Sequence, residues 1–220
     1  MPIPLRILHE DEHLIFLDKP AGVVVQQSQD PEQPFLFTRV AEYLQPKGQT
    51  PYLLQRLDRG TTGVMFFSKS SAMNARLTRQ FEKKQIRKTY AAVATGRIGE
   101  AQTIDAPIGR IGPITFGVVE DGKRALTTLV PAAWRSDATL LRIRLLTGRT
   151  HQIRVHLAAI GHPLVGDWLY GERDDGRPML HSLRVEMAHP ATGEPLVVEA
   201  PLPSDFLELF PDGDSLVAVE

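Results

Sequence analysis

Apolar and polar positions alternate along the chain in short segments. Ile3–Leu8 and His13–Asp18 have strand character, and the second ends at Lys19-Pro20-Ala21-Gly22, a turn signal. Phe35–Leu44 has helical spacing and stops ahead of Pro46. Gly63–Ser68 is a continuous apolar run, as expected of a buried strand. Over Ser70–Lys84 the residues Ala72, Ala75, Leu77 and Phe81 fall on one face and Arg76, Arg79, Lys83 and Lys84 on the other, which predicts an amphipathic helix. Lys88–Thr95 reads as a strand whose alternation is blurred by alanines. Ala125–Ala133 and Thr139–Leu146 read as a strand pair around Arg135-Ser136-Asp137. Thr150–Ile160 is expected to be helical, with Thr150 as N-cap and Gly161 just past the end. Strands follow at Met179–Met187 and Pro195–Ala200, joined through His189-Pro190-Ala191-Thr192-Gly193.

Strands outnumber helices, and several neighbours are joined by links of hairpin length. The expected class is α+β, a mostly antiparallel mixed sheet with flanking helices rather than a doubly wound sheet. There is no internal repeat and no long linker, so the 220 residues are expected to form a single domain, 1–220, with an acidic C-terminal tail over about 207–220.

Composition narrows the classes. Hydrophobic residues make up 42% and charged residues 23%, which excludes wholesale disorder. The absence of cysteine excludes a disulfide scaffold, a thiolate zinc site and a cysteine nucleophile. No apolar run approaches the ~20 residues of a membrane span, and Met1-Pro2-Ile3-Pro4 is unlike a signal peptide, so a cytoplasmic protein without a membrane partner is expected.

The net charge of -1 conceals an asymmetry. Leu54 to Tyr90 holds nine basic residues (Arg56, Arg59, Lys69, Arg76, Arg79, Lys83, Lys84, Arg87, Lys88) against Asp58 and Glu82. Arg142 to Arg154 holds four arginines and no acid, whereas Asp205 to Glu220 holds five acids and no base. Such a localised basic face suits a phosphate-rich partner, although solvated helices also carry many cations.

Two stretches carry candidate chemistry. In Gln55-Arg56-Leu57-Asp58-Arg59-Gly60-Thr61-Thr62-Gly63 one carboxylate sits between two arginines in a tight turn. Flanking cations are expected to favour an ionised Asp58, as a nucleophile or a transition-state stabiliser requires; a surface salt bridge beside a turn is the plainer reading. In Gly148-Arg149-Thr150-His151-Gln152-Ile153-Arg154-Val155-His156, Arg154 lies one turn into the helix beside an apolar stripe. A buried guanidinium needs a partner, and Asp58 is the natural candidate. Arg149 and Arg154 open this helix as a second basic wall, a candidate substrate-binding edge.

These motifs resemble the RluA-type pseudouridine synthases, which isomerise uridine in RNA. The family pattern H-R-L-D-x-x-T-S-G is met by Gln55 to Gly63, K-x-Y by Lys88-Thr89-Tyr90, and G-R-x-H-Q-[IL]-R-x-H by Gly148 to His156. Asp18-Lys19-Pro20-Ala21-Gly22, Gly161 to Asp167, Tyr170-Gly171, Leu180-His181 and His189 to Gly193 extend the likeness over about residues 8–206. The resemblance implies that Asp58 is the catalytic aspartate, that Arg56 helps extrude the target base, and that Tyr90 packs on the uracil. It also makes Arg154 the ion-pair partner of Asp58 and Leu180 part of the apolar wall. Gln55 stands where the family has histidine and Thr62 where it has serine. The family's RNA-binding head domain has no counterpart before Leu8, as in the short branch acting on transfer RNA, large-subunit ribosomal RNA, or both. A structured RNA stem-loop is therefore the expected partner of a monomeric enzyme.

Two rival classes remain open on sequence alone. A non-catalytic RNA-binding module would explain the basic stretch but not the ordered aspartate motif. A metal-dependent hydrolase would use His9-Glu10-Asp11-Glu12-His13, which also reads as a polar turn. His151 and His156 lack the i, i+4 spacing of a zinc helix, and Gly109-Arg110-Ile111-Gly112 lacks the lysine and Ser/Thr of a phosphate loop. No metal and no cofactor are expected.

Overall fold

A computed structural model describes residues 3–26, 35–171 and 176–217. In chain order the elements are β1 (Ile7–Glu10), β2 (Leu14–Lys19), α1 (Leu36–Leu44), β3 (Tyr52–Leu53), β4 (Thr62–Ser68), α2 (Ser71–Glu82) and β5 (Arg87–Thr95). There follow β6 (Gln102–Asp105), β7 (Ile108–Arg110), β8 (Phe116–Val118), β9 (Leu126–Arg135), β10 (Ala138–Leu145) and α3 (Gln152–Ala159). The last are β11 (Leu180–Ala188), β12 (Pro195–Glu199), α4 (Ser204–Leu209) and α5 (Gly213–Val217). The class is α+β with antiparallel pairing throughout the registered strands, as expected. Two compact units result, Met1–Lys88 with Ser182–Ala200, and Thr89–His181 with Pro201–Glu220.

In the first unit β2 pairs with β1 and β4, and β11 with β12. Period-two alternation sends Leu14 and Phe16 of β2 and Val64 and Phe66 of β4 into one core with Leu77, Val185, Met187 and Val198. Phe16 and Phe66 stack at 5.0 Å, and Phe81 of α2 lies parallel to Phe66. Ser70 caps α2 by accepting the Met73 N–H, so the amphipathic helix starts one residue inside its expected span.

The ligand-rich stretch around His9 is occupied structurally. Glu10 accepts bonds from Lys69 Nζ at 2.6 Å, Lys47 Nζ at 2.7 Å and the Tyr43 hydroxyl at 2.8 Å. Asp11 accepts the His13 and Leu14 N–H groups and faces His9 and His189. Burial raises the Glu10 pKa, but the bonds from Lys47, Lys69 and Tyr43 outweigh it and bring it from 4.5 to about 2. Glu10 therefore stabilises the fold fully above pH 4.5, and that contribution is lost as pH falls toward 2. Glu10→Gln is expected to cost about 2 kcal/mol at neutral pH. It should also flatten the acid limb of a urea-denaturation series; an unchanged limb would contradict the pairing.

In the second unit β9 pairs with β6 and β10, and β10 with β5. The β9–β10 register shifts where Leu140 faces Ala133 and Leu141 faces Pro131. A bulge there suits a proline, which has no N–H for the ladder. β7 and β8 form a separate hairpin that packs Ile108 and Phe116 with Ala125, Val155 and Tyr170. The acidic C-terminal stretch is folded in α4 and α5, where Phe206, Phe210 and Val217 are buried. Among the described residues no helix is long and apolar enough to cross a membrane.

Candidate active site

Asp58 lies half-buried in the loop between β3 and β4, and its carbonyl accepts the Thr61 N–H at 3.1 Å to close a turn. The loop is pinned from β2. Lys19 is wholly buried, and its ammonium donates to the carbonyls of Pro20 (2.9 Å), Val23 (3.0 Å) and Arg59 (3.2 Å). The Gly22 N–H also donates to the Arg59 carbonyl, and Arg59 Nε returns a bond to Gly22 O. A charge at zero exposure is costly unless its donors are all used, so Lys19 acts as a rivet that fixes the residue after Asp58. Gly63, the second residue of the buried strand β4, has φ +102°, a conformation only glycine adopts readily. Arg56 is exposed on the same loop.

The second motif forms a network around the start of α3. The helix begins at Gln152, and the residue before it is His151 in the left-handed region at φ +55°, so Thr150 is not the cap. No side chain caps the helix, and the Gln152 carboxamide instead ties the turn before it to β9. Its Oε1 accepts from Thr147 Oγ1 (2.8 Å) and the Arg149 N–H (3.0 Å), while Nε2 donates to Leu126 O and Thr127 Oγ1. That cross-link fixes the strand β9, the exposed Arg149 and the helix in one arrangement. Gly161 follows the helix at φ +82°, as expected.

Arg154 is buried, and its guanidinium grips Asp167 with two parallel bonds of 2.7 Å, Nε to Oδ2 and Nη2 to Oδ1. Asp167 has no exposed side-chain surface and accepts the Leu169 and Tyr170 N–H groups as well. The Tyr170 ring lies 5.0 Å from the guanidinium. A buried Arg154 needs a carboxylate, and Asp167, thirteen residues on, grips it. Tyr90 is buried in β5 opposite Ile143, and Leu180 is the buried first residue of β11. Asp58 and Arg56 thus belong to the first unit, and Tyr90, Arg149, Arg154 and Leu180 to the second. In the first unit, burial lowers the Lys88 amine to about 7; its Nζ lies 4.7 Å from the centre of the Phe81 ring. Among the described residues no group of three His, Asp or Glu side chains is arranged to hold a metal ion.

The sequence profile of the RNA pseudouridylate synthases matches residues 13–159. The chain belongs to this family. It is an RNA pseudouridine synthase, hence an isomerase. Similar relatives include ribosomal large subunit pseudouridine synthase D of Nitrosomonas europaea, 38% identical over 94% of this chain and 65% of that protein. The uncharacterized RNA pseudouridine synthase YhcT of Bacillus subtilis is 39% identical over 93% of this chain and 71% of that protein. The chain therefore spans about two thirds of the length of these relatives. The structure of human RNA pseudouridylate synthase domain containing 1 superposes with a TM-score of 0.76 at 27% identity, covering 97% of this chain and 88% of that one. Human RNA pseudouridylate synthase domain containing 4, at 23% identity, shares the fold with a TM-score of 0.77 over 98% of this chain and 94% of that one.

Within a pseudouridylate synthase, Lys19, Gln152 and Asp167 are the positioning residues that spacing alone does not reveal. Each lies inside a quoted motif, yet the role of each depends on atoms brought from elsewhere in its unit: Arg59 for Lys19, Thr127 for Gln152, Arg154 for Asp167. At the departure from the family pattern, the Gln55 Nε2 is buried without a hydrogen-bond partner among the described residues.

Proposed function

We propose that this pseudouridine synthase acts on a uridine in a stem-loop of transfer RNA or large-subunit ribosomal RNA, with Asp58 as the reacting carboxylate. The observation that carries the reading is the Asp58 loop itself, the family's aspartate motif on a turn held by the buried Lys19. Isomerisation breaks the bond from N1 of uracil to C1′, turns the base, and forms a bond from C5 to C1′. The C5 proton is lost and N1 gains one, so the product is an isomer and no co-reactant is consumed. A carboxylate beside the anomeric carbon can form a glycosyl ester or take a sugar proton, and either route needs a base removed from its stack. In this reading Arg56 fills the vacated position, Tyr90 and Leu180 hold the uracil, Arg154 supplies positive charge to the aspartate, and Arg149 meets the backbone. The chain acts as one catalytic domain without a cofactor, as a cytoplasmic monomer.

Charge supports an RNA ligand. Arg76, Arg79, Lys83, Lys84 and Arg87 are all exposed along α2 and the start of β5, and none is ion-paired among the described residues. Uncompensated cations in such a row suit a phosphate backbone, whose binding weakens as salt rises. The test is to map pseudouridines in total RNA with and without the gene. An isolated hairpin carrying the mapped uridine is then compared with the full RNA in single-turnover kinetics over a salt series. Comparable rates, a steep salt slope and a flatter slope for K83Q/K84Q are expected. Activity confined to an assembled ribosomal particle, or indifference to salt, would overturn this account of recognition.

A further inference from the structure

The three most exposed large apolar side chains among the described residues are Ile111 at 61%, Ile114 at 59% and Trp168 at 50%. Scattered exposed apolar residues need no explanation, but these fall on two segments of the second unit that are tied together. Ile111 and Ile114 lie in the turn of the β7–β8 hairpin, and Trp168 lies in the loop after α3. Tyr170 makes the tie. Its hydroxyl accepts the Phe116 N–H of the hairpin at 3.0 Å and lies 2.7 Å from His151 Nδ1.

Trp168 stands on a fixed backbone. Its N–H donates to Gly166 O at 3.1 Å, the Gly171 N–H returns to Asp167 O at 2.7 Å, and Asp167 Oδ1 caps the next two N–H groups. Gly166 has φ +73°, and a Cβ there would lie 2.1 Å from the Arg177 carbonyl oxygen, so only glycine allows the loop base to close. Arg177 is itself held by two bonds to Asp205. An indole is therefore presented to solvent by a loop whose preceding residue grips Arg154. The same unit carries two exposed arginines: Arg110 on the hairpin, 5.8 Å from the Phe116 ring, and Arg149, whose Nε donates to Arg124 O. Neither has an ion-pair partner among the described residues. A preordered exposed aromatic in a unit that also exposes cations without an ion-pair partner among the described residues has the chemistry that takes a base and its phosphates together.

We propose that Trp168 is a stacking platform for an unpaired nucleobase of the substrate RNA, and thereby a specificity-determining residue. This rests on the reading that the substrate is a structured RNA with a single-stranded loop. The base occupies the indole face while Arg110 and Arg149 meet the neighbouring phosphates. The indole's role is in binding, so it acts on affinity and on the choice of RNA.

The chain has two tryptophans, and Trp134 is engaged through Nε1 to Ile98 O at 2.7 Å. In W134F, Trp168 is the sole source of indole emission. The probes are an RNA hairpin with a uridine-containing loop and a fully paired duplex of the same stem, each labelled so that anisotropy reports binding. The hairpin is expected to quench Trp168 emission saturably, whereas the bound duplex leaves it unchanged. W168A should weaken hairpin binding about tenfold, keep the melting temperature and the duplex affinity, and raise KM while kcat holds. Should W134F fail to fold, the difference between wild type and W168F gives the same emission readout. Emission indifferent to a bound hairpin, or equal hairpin affinity in W168A, would overturn the proposal. A change in sedimentation on W168A would assign the surface to a second copy of the chain and overturn it too. Binding and quenching are read without turnover, so an enzyme that modifies no RNA would sink the functional reading while quenching still decides this one.

Discussion

Asp58→Asn is expected to reduce isomerisation by on the order of a thousandfold or more, with melting temperature and RNA affinity essentially unchanged. The argument is one of charge at constant shape. Asparagine keeps the size of the side chain, and the loop geometry depends on backbone contacts that the substitution does not touch: the Thr61 N–H to the Asp58 carbonyl, and Lys19 and Gly22 to the Arg59 carbonyl. What it removes is the carboxylate that must form an ester with the sugar or accept its proton. No other carboxylate lies in the motif, since Arg56 to Gly63 contains Asp58 alone. Product is read by mass spectrometry after nuclease digestion, and binding by titration of the same RNA. Turnover above a few per cent of wild type would remove Asp58 from the chemistry. Loss of binding alongside turnover would instead make it a contact residue.

How much of this could be read from the chain depends on where the deciding atoms lie. Elements whose causes are local came out close to their expected bounds: α2 begins one residue past its serine cap, and the apolar run Gly63–Ser68 is the core of β4. α3 begins two residues later than expected, where the Gln152 side chain ties the preceding turn at Thr147 and Arg149 to Leu126 and Thr127 of β9. No capping preference for Thr150 could compete with that tertiary cross-link. The β7–β8 hairpin had no alternation to reveal it. Its strands are three residues each and glycine-rich, and they are held by Tyr170 rather than by their own pattern. The site divides the same way. Asp58 and the arginines announce themselves by motif, whereas Lys19 and Asp167 gain meaning only when the fold delivers three carbonyls to one and a guanidinium to the other.

Asp167→Ala is expected to be strongly destabilising, at about 3–5 kcal/mol. It would leave the Arg154 guanidinium, 6% exposed in its side chain, without the carboxylate that accepts two of its N–H groups. It would also release the Leu169 and Tyr170 N–H groups, so the loop carrying Trp168 would loosen. Asp167→Asn should cost less, because an amide oxygen can still cap those N–H groups while the charge is gone. Replacing both partners, Arg154→Met with Asp167→Leu, separates structure from function. An apolar pair of similar volume removes both of these buried charges together and should recover more than half of the lost stability. Turnover should not recover with it, since the positive charge of Arg154 is missing. Urea denaturation and single-turnover kinetics on the three variants and wild type give both readouts. Recovery of stability together with activity would make Arg154 a purely structural residue. A D167A protein as stable as wild type would mean that the bidentate pair does not bear the burial of that guanidinium.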